Sequence, residues 1–473
     1  MTDNAKRQLV VIGGGPGGYA AAFLAADLGM QVTLIDPAEN PGGVCLYRGC
    51  IPSKALLHAA KVITEADEAG QFGVRFGRPQ IDLDKLRGWK DEIVGKLTGG
   101  LGQLVKQRKV EHIRGMARFE DAHTLTVQLT DGQTHQLAFE HAVLATGSLP
   151  VSIPSLAVDS PDLLDSTSAL EIENIPKTLL VIGGGYIGLE LGTVYAALGT
   201  KVSVVEMLPG LLPGADRDLV AILARRVKEK FEDVILSTTV AAMKAQKNGI
   251  KVSFEGKAAD GKDRIFEKVL MSVGRKPNLQ NLGLENTRVE IDDKGFVRIN
   301  AQRQTAEPSI YAIGDVAGEP MLAHKASHEG RLAVEAIAGH KVAFEPRAIP
   351  AVVFTDPELA WCGLTESEAK EQGREIKVTK FPWAASGRAL TLGRTDGLTK
   401  LIVDPATERI LGVGIVGPGA GELITESVLA IEMAAVAKDI ALTIHPHPTL
   451  SETVMESAEV LFGTSTHVYR PKR

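Results

Sequence analysis

At 473 residues the chain is long enough for roughly three or four domains, each able to bury a core of its own. Lys and Arg total 52 against 58 Asp and Glu, a formal charge of −6, and no basic block follows a phosphate backbone, which excludes nucleic acid as the expected partner. The opening residues MTDNAKRQ hold no apolar signal core and three cysteines in so long a chain fit a reducing compartment, so the expected location is the cytoplasm, without membrane insertion.

The first element is the longest uncharged run, Leu9 to Ala26. It has the length of a membrane span, but its GGGPGG centre reads instead as the turn between a strand and a small-residue helix. Gly13, Gly15 and Gly18 spell G-x-G-x-x-G, and a second β-branched run ends at Asp36. In that context the glycines let backbone amides and a helix N-terminus approach a pyrophosphate, and the terminal acid accepts bonds from a ribose.

Next come Cys45 and Cys50, two of the three cysteines, in GGVCLYRGCIPSK. A disulfide across so short a loop would stabilise the fold by only ~2 kcal/mol, and a chain of this length needs no staple, so a redox role is the better reading. Residues 51–61 form an expected amphipathic helix. Continued regularly, it would separate positions 45 and 50 by about 7.5 Å along its axis, beyond the ~7 Å that a disulfide tolerates. Gly49 and Pro52 supply the needed break, and Lys54, one turn past Cys50, places an ammonium on the same face as that sulfur.

The first fingerprint recurs 170 positions on. Gly183, Gly185 and Gly188 match Gly13, Gly15 and Gly18, and Glu206 matches Asp36, again between two strand-like runs. Two copies imply two dinucleotides. A dithiol is a poor direct hydride donor to nicotinamide, so a flavin between them is the economical relay. FAD belongs to the copy that leads into the cysteines and the nicotinamide cofactor to the second. Glu206 favours NAD, because a carboxylate repels a 2′-phosphate and the following Met207 and Leu208 bring no arginine.

Near the C-terminus, HPHPTLSE supplies proton chemistry. Converting a dithiol to a disulfide releases protons, which calls for a base near neutrality, and His447 is the candidate with Glu452 orienting it. Thr449 to Glu452 also spells a capping box, in which Glu452 would bond a backbone N–H. His445 is the decoy, read as a surface or core residue. Cys362, beside Trp361, reads as a small packed residue.

Together GGVCLYRGCIPSK, the ATG of Ala145 to Gly147, GGGYIGLELG, GRKPN from Gly274, YAIGD from Tyr311, MLAHKASHEG from Met321 and HPHPTLSE resemble the class I pyridine nucleotide-disulfide oxidoreductases, and among them the dihydrolipoamide dehydrogenases. The resemblance covers nearly the whole chain. It implies an α/β fold with two Rossmann-like dinucleotide-binding domains, a central domain and a C-terminal α+β dimerisation domain: FAD at 1–150, NAD at 151–279, the central domain completing the FAD site at 280–349, and dimerisation at 350–473. Pro150, Pro154, Pro277 and Pro350 give compatible punctuation.

The resemblance further implies that Asp315 binds the flavin's ribityl chain and that Lys54 pairs with Glu190 near the flavin ring. Ala117 and Ala323 would give backbone contacts, Thr146, Gly147 and Ser148 would belong to the flavin site, and Val240 and Gly274 would line the NAD site. The implied reaction is oxidation of protein-bound dihydrolipoamide with reduction of NAD: a substrate thiolate attacks Cys45 and releases Cys50, with His447 contributed by the opposite subunit of a homodimer. The implied partners are the lipoyl domain and core acyltransferase of a 2-oxoacid dehydrogenase or glycine cleavage complex. Three features depart from the family's pattern. Tyr47 and Arg48 stand where a small polar amide is common, which bears on access to the disulfide. Asp36 replaces a longer glutamate, which bears on FAD affinity. No lipoyl domain precedes Met1, so the lipoyl group is expected from a partner. Glutathione reductase would carry an arginine-bearing NADP site, and mercuric reductase a C-terminal cysteine pair that THVYRPKR lacks.

Overall fold

The computed structural model describes residues 2–258 and 261–469, with side chains from residue 8 on. The uncharged run resolves into strand β1 (Thr2–Ile12), a glycine turn and helix α1 (Pro16–Asp27), followed by β2 (Val32–Ile35). Leu9 to Ile12 are all buried, because the strand has two covered faces. Leu9 and Val11 pack with Ala21, Ala22 and Ala25 of α1, whereas Val10 and Ile12 pack with Phe119, Val127 and Phe139 on the other side. Alanines on α1 permit the close approach of helix to sheet.

After β2 the chain makes α2 (Gly43–Arg48), α3 (Cys50–Glu68) and α4 (Leu83–Gln107). It then adds β3 (Glu111–Ile113), β4 (Gly115–Phe119), β5 (Thr124–Leu129) and β6 (Thr134–Leu144). The first sheet runs β3-β2-β1-β6-β5-β4, parallel through β6 and antiparallel beyond it, and the strand Ile310–Ala312 joins β6 in parallel. Residues 280–349 therefore return a strand to the sheet that carries the first fingerprint.

The second sheet is wholly parallel, in the order 233–236, 201–206, 178–182, 268–271, 163–164. Its second fingerprint opens the helix Tyr186–Leu198. Two short antiparallel strands, Ser148–Pro150 and Arg275–Pro277, pair where the chain leaves the first sheet and where it comes back. The C-terminal unit is a five-stranded antiparallel sheet packed against helices Ala420–Glu432, Ala437–Leu442 and Glu452–Phe462. No helix among the described residues is long and apolar enough to cross a membrane.

Candidate active site

The two fingerprints fold alike. Gly13 and Gly183 have φ of 106° and 104°, and a Cβ on either would lie 2.3 Å from the Ala145 carbonyl oxygen or 2.6 Å from that of Ser272. Gly18 and Gly188 are demanded by close helix packing, since a Cβ would meet the Gly13 carbonyl at 1.8 Å or the Gly183 carbonyl at 2.6 Å. The middle glycines differ: among the described residues, and leaving out the immediate chain neighbours, nothing lies within 4 Å of a Cβ at Gly185, and at Gly15 only the Gly43 Cα does, at 3.9 Å. Protein packing does not require glycine there. Close approach of a pyrophosphate to the helix N-terminus does, so the chain fits a dinucleotide at each copy.

The acids are matched too. Asp36 accepts the Gly14 N–H at 2.7 Å and the Ala38 N–H at 2.9 Å, and Glu206 accepts the Gly184 N–H at 2.7 Å and the Leu208 N–H at 2.8 Å. Each carboxylate is held over its own glycine turn, with lone pairs left for a ribose. Gly183, Gly185, Glu206, Val240 and Gly274 line one cleft of about 1680 Å³, which reaches across to Trp361 and Gly363 of the C-terminal unit.

Helices α2 and α3 break at Gly49, as the cysteine spacing requires. Its φ of −149° and ψ of −112° turn the chain, and a Cβ would meet the Val44 carbonyl at 3.0 Å. Cys45 and Cys50 are free thiols here, the first half-buried and the second exposed. Their acidities are pushed apart. The hydrogen bond from Cys45 lowers the Cys50 thiol to about 7, against the desolvation of its sulfur by the surrounding chain even though the residue as a whole is exposed, with help from the Lys54 ammonium. The same hydrogen bond, then burial, then the charge of Cys50 push Cys45 well above the ordinary thiol range. We expect alkylation of Cys50 by iodoacetamide in the reduced protein to rise with pH through a midpoint near 7, while Cys45 stays unlabelled, as read by peptide mass spectrometry. Preferential labelling of Cys45 would reverse the assignment.

Lys54 donates to Glu190 at 2.7 Å, and its ammonium lies 4.6 Å from the centre of the Phe354 ring. Glu190 is buried and also accepts the Ser53 hydroxyl at 3.3 Å and the Phe354 N–H at 2.9 Å. One carboxylate thus ties the dithiol helix, the second fingerprint helix and the C-terminal unit together. Sequence reasoning missed Phe354, Tyr186 and Tyr19. Burial, then the charges of Cys45 and Cys50, raise the Tyr19 hydroxyl. Burial raises Tyr186 against the opposing charge of Arg275, and Glu190, Asp315 and Cys50 add to the rise, so these groups share one neighbourhood. No local motif marks either tyrosine.

Asp315 accepts the Ser148 hydroxyl at 2.5 Å, and Arg275 donates to the Ser148 hydroxyl oxygen and carbonyl, both at 2.7 Å. The Thr146 hydroxyl donates to the Asn278 carbonyl at 2.7 Å, and the Gly147 carbonyl accepts the Asn278 N–H at 2.9 Å. Ala117 is buried in β4, and Ala323 opens the helix Ala323–Ile337. Tyr47, expected to alter access, anchors its loop: its hydroxyl donates to the Asn40 carbonyl at 2.9 Å. Arg48 is exposed.

His447 Nδ1 lies 2.9 Å from Glu452, whose other oxygen accepts the Thr449 N–H at 2.8 Å. Glu452 therefore orients the imidazole and bonds a backbone N–H at once, but the expected capping box is not formed: the helix begins at Glu452 itself, with Ser451 at its N-cap and no side-chain cap. Burial would raise its carboxyl, but the Thr449 N–H and His447 outweigh that and hold it below the usual carboxylate range. The His447 side chain is 71% exposed, and within one chain the charges acting on the dithiol come from Lys54 and Glu190. His445 is instead packed between the Thr443 carbonyl and Glu426, each at 2.8 Å. Cys362 is buried, its thiol pushed up to about 12 by burial.

The profile of the family described as pyridine nucleotide-disulphide oxidoreductase matches residues 7–330, and that of its dimerisation domain matches 349–458. The chain is similar to the dihydrolipoyl dehydrogenase of Haemophilus influenzae, 49% identical over 100% of this chain and 98% of that one. It is 48% identical to that of Vibrio cholerae, over 100% and 99%. Among solved structures, LpdA from Mycobacterium tuberculosis superposes with a TM-score of 0.89 at 27% identity, covering 96% of this chain and 99% of that one. The HOCl-induced flavoprotein disulfide reductase RclA from Escherichia coli gives 0.85 at 27% identity, over 96% and 100%. On sequence, topology and paired fingerprints alike, the chain belongs to the pyridine nucleotide-disulphide oxidoreductase family, dimerisation domain included.

Proposed function

We propose that the chain is a dihydrolipoyl dehydrogenase, oxidising protein-bound dihydrolipoamide to lipoamide with reduction of NAD through the Cys45–Cys50 pair and FAD. The observation that carries this is the pair of thiols set on either side of the Gly49 break, next to the Lys54–Glu190 ion pair, in a chain with two matched dinucleotide turns. Starting from the Cys45–Cys50 disulfide, His447 of the partner subunit takes the proton of one substrate thiol. The resulting thiolate bonds to Sγ of Cys45, and the electron pair of the broken disulfide goes to Cys50. Cys50 is the better leaving group because its thiol is the stronger acid, although exposure alone would make it the point of attack. The second substrate thiol loses its proton and attacks the substrate sulfur of the mixed disulfide. Lipoamide leaves, and Cys45 keeps the electron pair and takes up the proton that the second substrate thiol gave up, while the first proton stays on His447 of the partner subunit. Held at the two dinucleotide turns, FAD would supply a two-electron acceptor for the dithiol and NAD a final hydride acceptor.

Gly13, Gly15, Gly18, Asp36, Lys54, Ala117, Thr146, Gly147, Ser148, Asp315 and Ala323 hold FAD in this reading. Glu190 pairs with Lys54 near the flavin ring, and Gly183, Gly185, Gly188, Glu206, Val240 and Gly274 form the NAD side. Boundaries near 150, 279 and 349 divide the chain accordingly. The partners are a second copy, the lipoyl domain and the core acyltransferase of a 2-oxoacid dehydrogenase or glycine cleavage complex, in the cytoplasm. The deciding assay compares NAD reduction by dihydrolipoamide with NADPH oxidation by glutathione disulfide, and activity in the second alone would overturn the proposal.

Glu206→Ala tests cofactor choice. Loss of a charge-assisted bond of about 1.5–3 kcal/mol should cost roughly tenfold to a hundredfold in kcat/KM for NAD and narrow the preference over NADP. An unchanged NAD/NADP ratio would count against the ribose contact.

A further inference from the structure

We propose that Lys400 is a positioning residue of the NAD site, acting from the C-terminal unit on the wall of the cleft beside Glu206. The inference rests on the reading that NAD binds at the second fingerprint. Lys400 is wholly buried, and its ammonium donates to Asp216 at 2.5 Å, Asp218 at 2.8 Å and Glu366 at 2.9 Å. Asp216 and Asp218 begin the helix Arg217–Lys230 after the second fingerprint, whereas Lys400 and Glu366 belong to the C-terminal unit. Lys380 adds a second ammonium, 2.6 Å from Asp218 and 3.5 Å from Glu366. Asp216 also accepts the N–H groups of Glu366 and Ser367, so a residue of one unit caps a helix of the other.

Arg217, between the two pinned acids, gathers the carbonyls of the preceding loop. Its guanidinium donates to Leu211 at 2.8 Å, to Leu212 at 2.5 Å and, through Nε, to Ala215 at 3.0 Å. That loop lines the cleft with Met207, Leu208, Leu212 and Pro213. Leu212 stands at φ 47°, a left-handed conformation that a bulky side chain adopts only where its surroundings enforce it. Its N–H donates to the Gly184 carbonyl at 3.0 Å, directly on the dinucleotide turn, and the Leu208 N–H donates to Glu206. The path from Lys400 to the ribose acid is therefore a short series of direct bonds: Lys400 to Asp216 and Asp218, Arg217 to the loop carbonyls, and the loop to Gly184 and Glu206.

Without Lys400, three carboxylates whose ligand atoms lie within 4.8 Å of one another keep only Lys380, which reaches Asp218 and Glu366, and the charge of Arg217 beside Asp216, and their repulsion is relieved by parting the two units. The expected result is that Lys400→Met weakens equilibrium binding of NAD, measured by titration calorimetry on the oxidised, FAD-loaded protein, about tenfold. The KM for NAD rises in parallel, while the rate of flavin reduction by dihydrolipoamide without NAD and the KM for dihydrolipoamide stay within about twofold. Lys400→Arg, which keeps the charge, restores most of the NAD affinity. A general loss of structure would instead depress both half-reactions together. Unchanged NAD affinity in folded Lys400→Met, or an equal fall in both half-reactions, overturns the proposal. Should Lys400→Met fail to fold, Asp218→Ala, which deletes one of the three bonds, is read by the same criteria. A wild-type protein that binds no NAD would remove the cofactor reading itself, whereas equal binding by wild type and variant removes the Lys400 assignment alone.

Discussion

His447→Ala lowers dihydrolipoamide-dependent NAD reduction by roughly 10²–10⁴-fold, the range that a positioned general base contributes. Glu452 holds Nδ1 at 2.9 Å, which leaves Nε2 to take the substrate proton. Because the Glu452 carboxyl is held below its ordinary range, it stays ionised through neutral pH and stabilises the imidazolium that forms. The sign follows from that depression: the support is complete above the ordinary carboxylate pKa and is lost only as pH falls through the lowered one. Glu452→Gln keeps the shape, removes the charge and costs less than His447→Ala, with its largest deficit near neutral pH. NADH oxidation by a small artificial electron acceptor, which needs no thiol deprotonation, stays near wild type in both variants. Retention of more than a tenth of dihydrolipoamide turnover in folded His447→Ala would remove His447 from the role of base.

The parts of this site that were legible in the sequence are those whose physical cause is local. Gly13 and Gly183 are needed because a carbonyl from a neighbouring strand end sits where a Cβ would stand, and that constraint repeats with the same spacing in both copies. Gly49 was legible because two sulfurs five positions apart cannot meet on a continuous helix. The two Glu452 bonds, to the imidazole and to a backbone N–H, were legible as alternatives, and the carboxylate has two oxygens with which to make both, although the helix starts at Glu452 itself, too late for a capping box. What stayed hidden depends on pairings across the chain. Glu190 was named as the partner of Lys54, but nothing near it points to the Phe354 N–H, 164 residues on. Tyr47 looked like an obstacle at the disulfide because its neighbours in sequence are the cysteines, whereas its hydroxyl reaches back to Asn40. Lys400 reads as one charge in an apolar strand until the fold brings Asp216, Asp218 and Glu366 around it.

Mixing Cys50→Ala and His447→Ala chains, each inactive on dihydrolipoamide, restores activity at about a quarter of all sites if the active site is shared across a two-fold axis. The motivation is geometric. His447 is exposed and bonded to Glu452, and the groups that act on the dithiol within the same chain are Lys54 and Glu190. Around His447 the chain displays apolar side chains that a lone subunit has no reason to expose: Leu442 at 69% and Ile444 at 95%, with Leu429 and Met433 on the preceding helix and its end. These residues lie in the dimerisation domain, so a second copy is the expected cover for them, and His447 beside them is expected at that contact. Unfolded and refolded together with FAD, equal amounts of the two chains pair at random, and half the dimers are mixed. A mixed dimer has one site carrying both lesions and one carrying neither, so half the dimers contribute one good site in two. If each site drew both residues from one chain, every site in every dimer would keep a lesion. With mixed dimers confirmed by native mass spectrometry, activity no higher than that of the separate variants would place His447 and Cys50 of each site on the same chain.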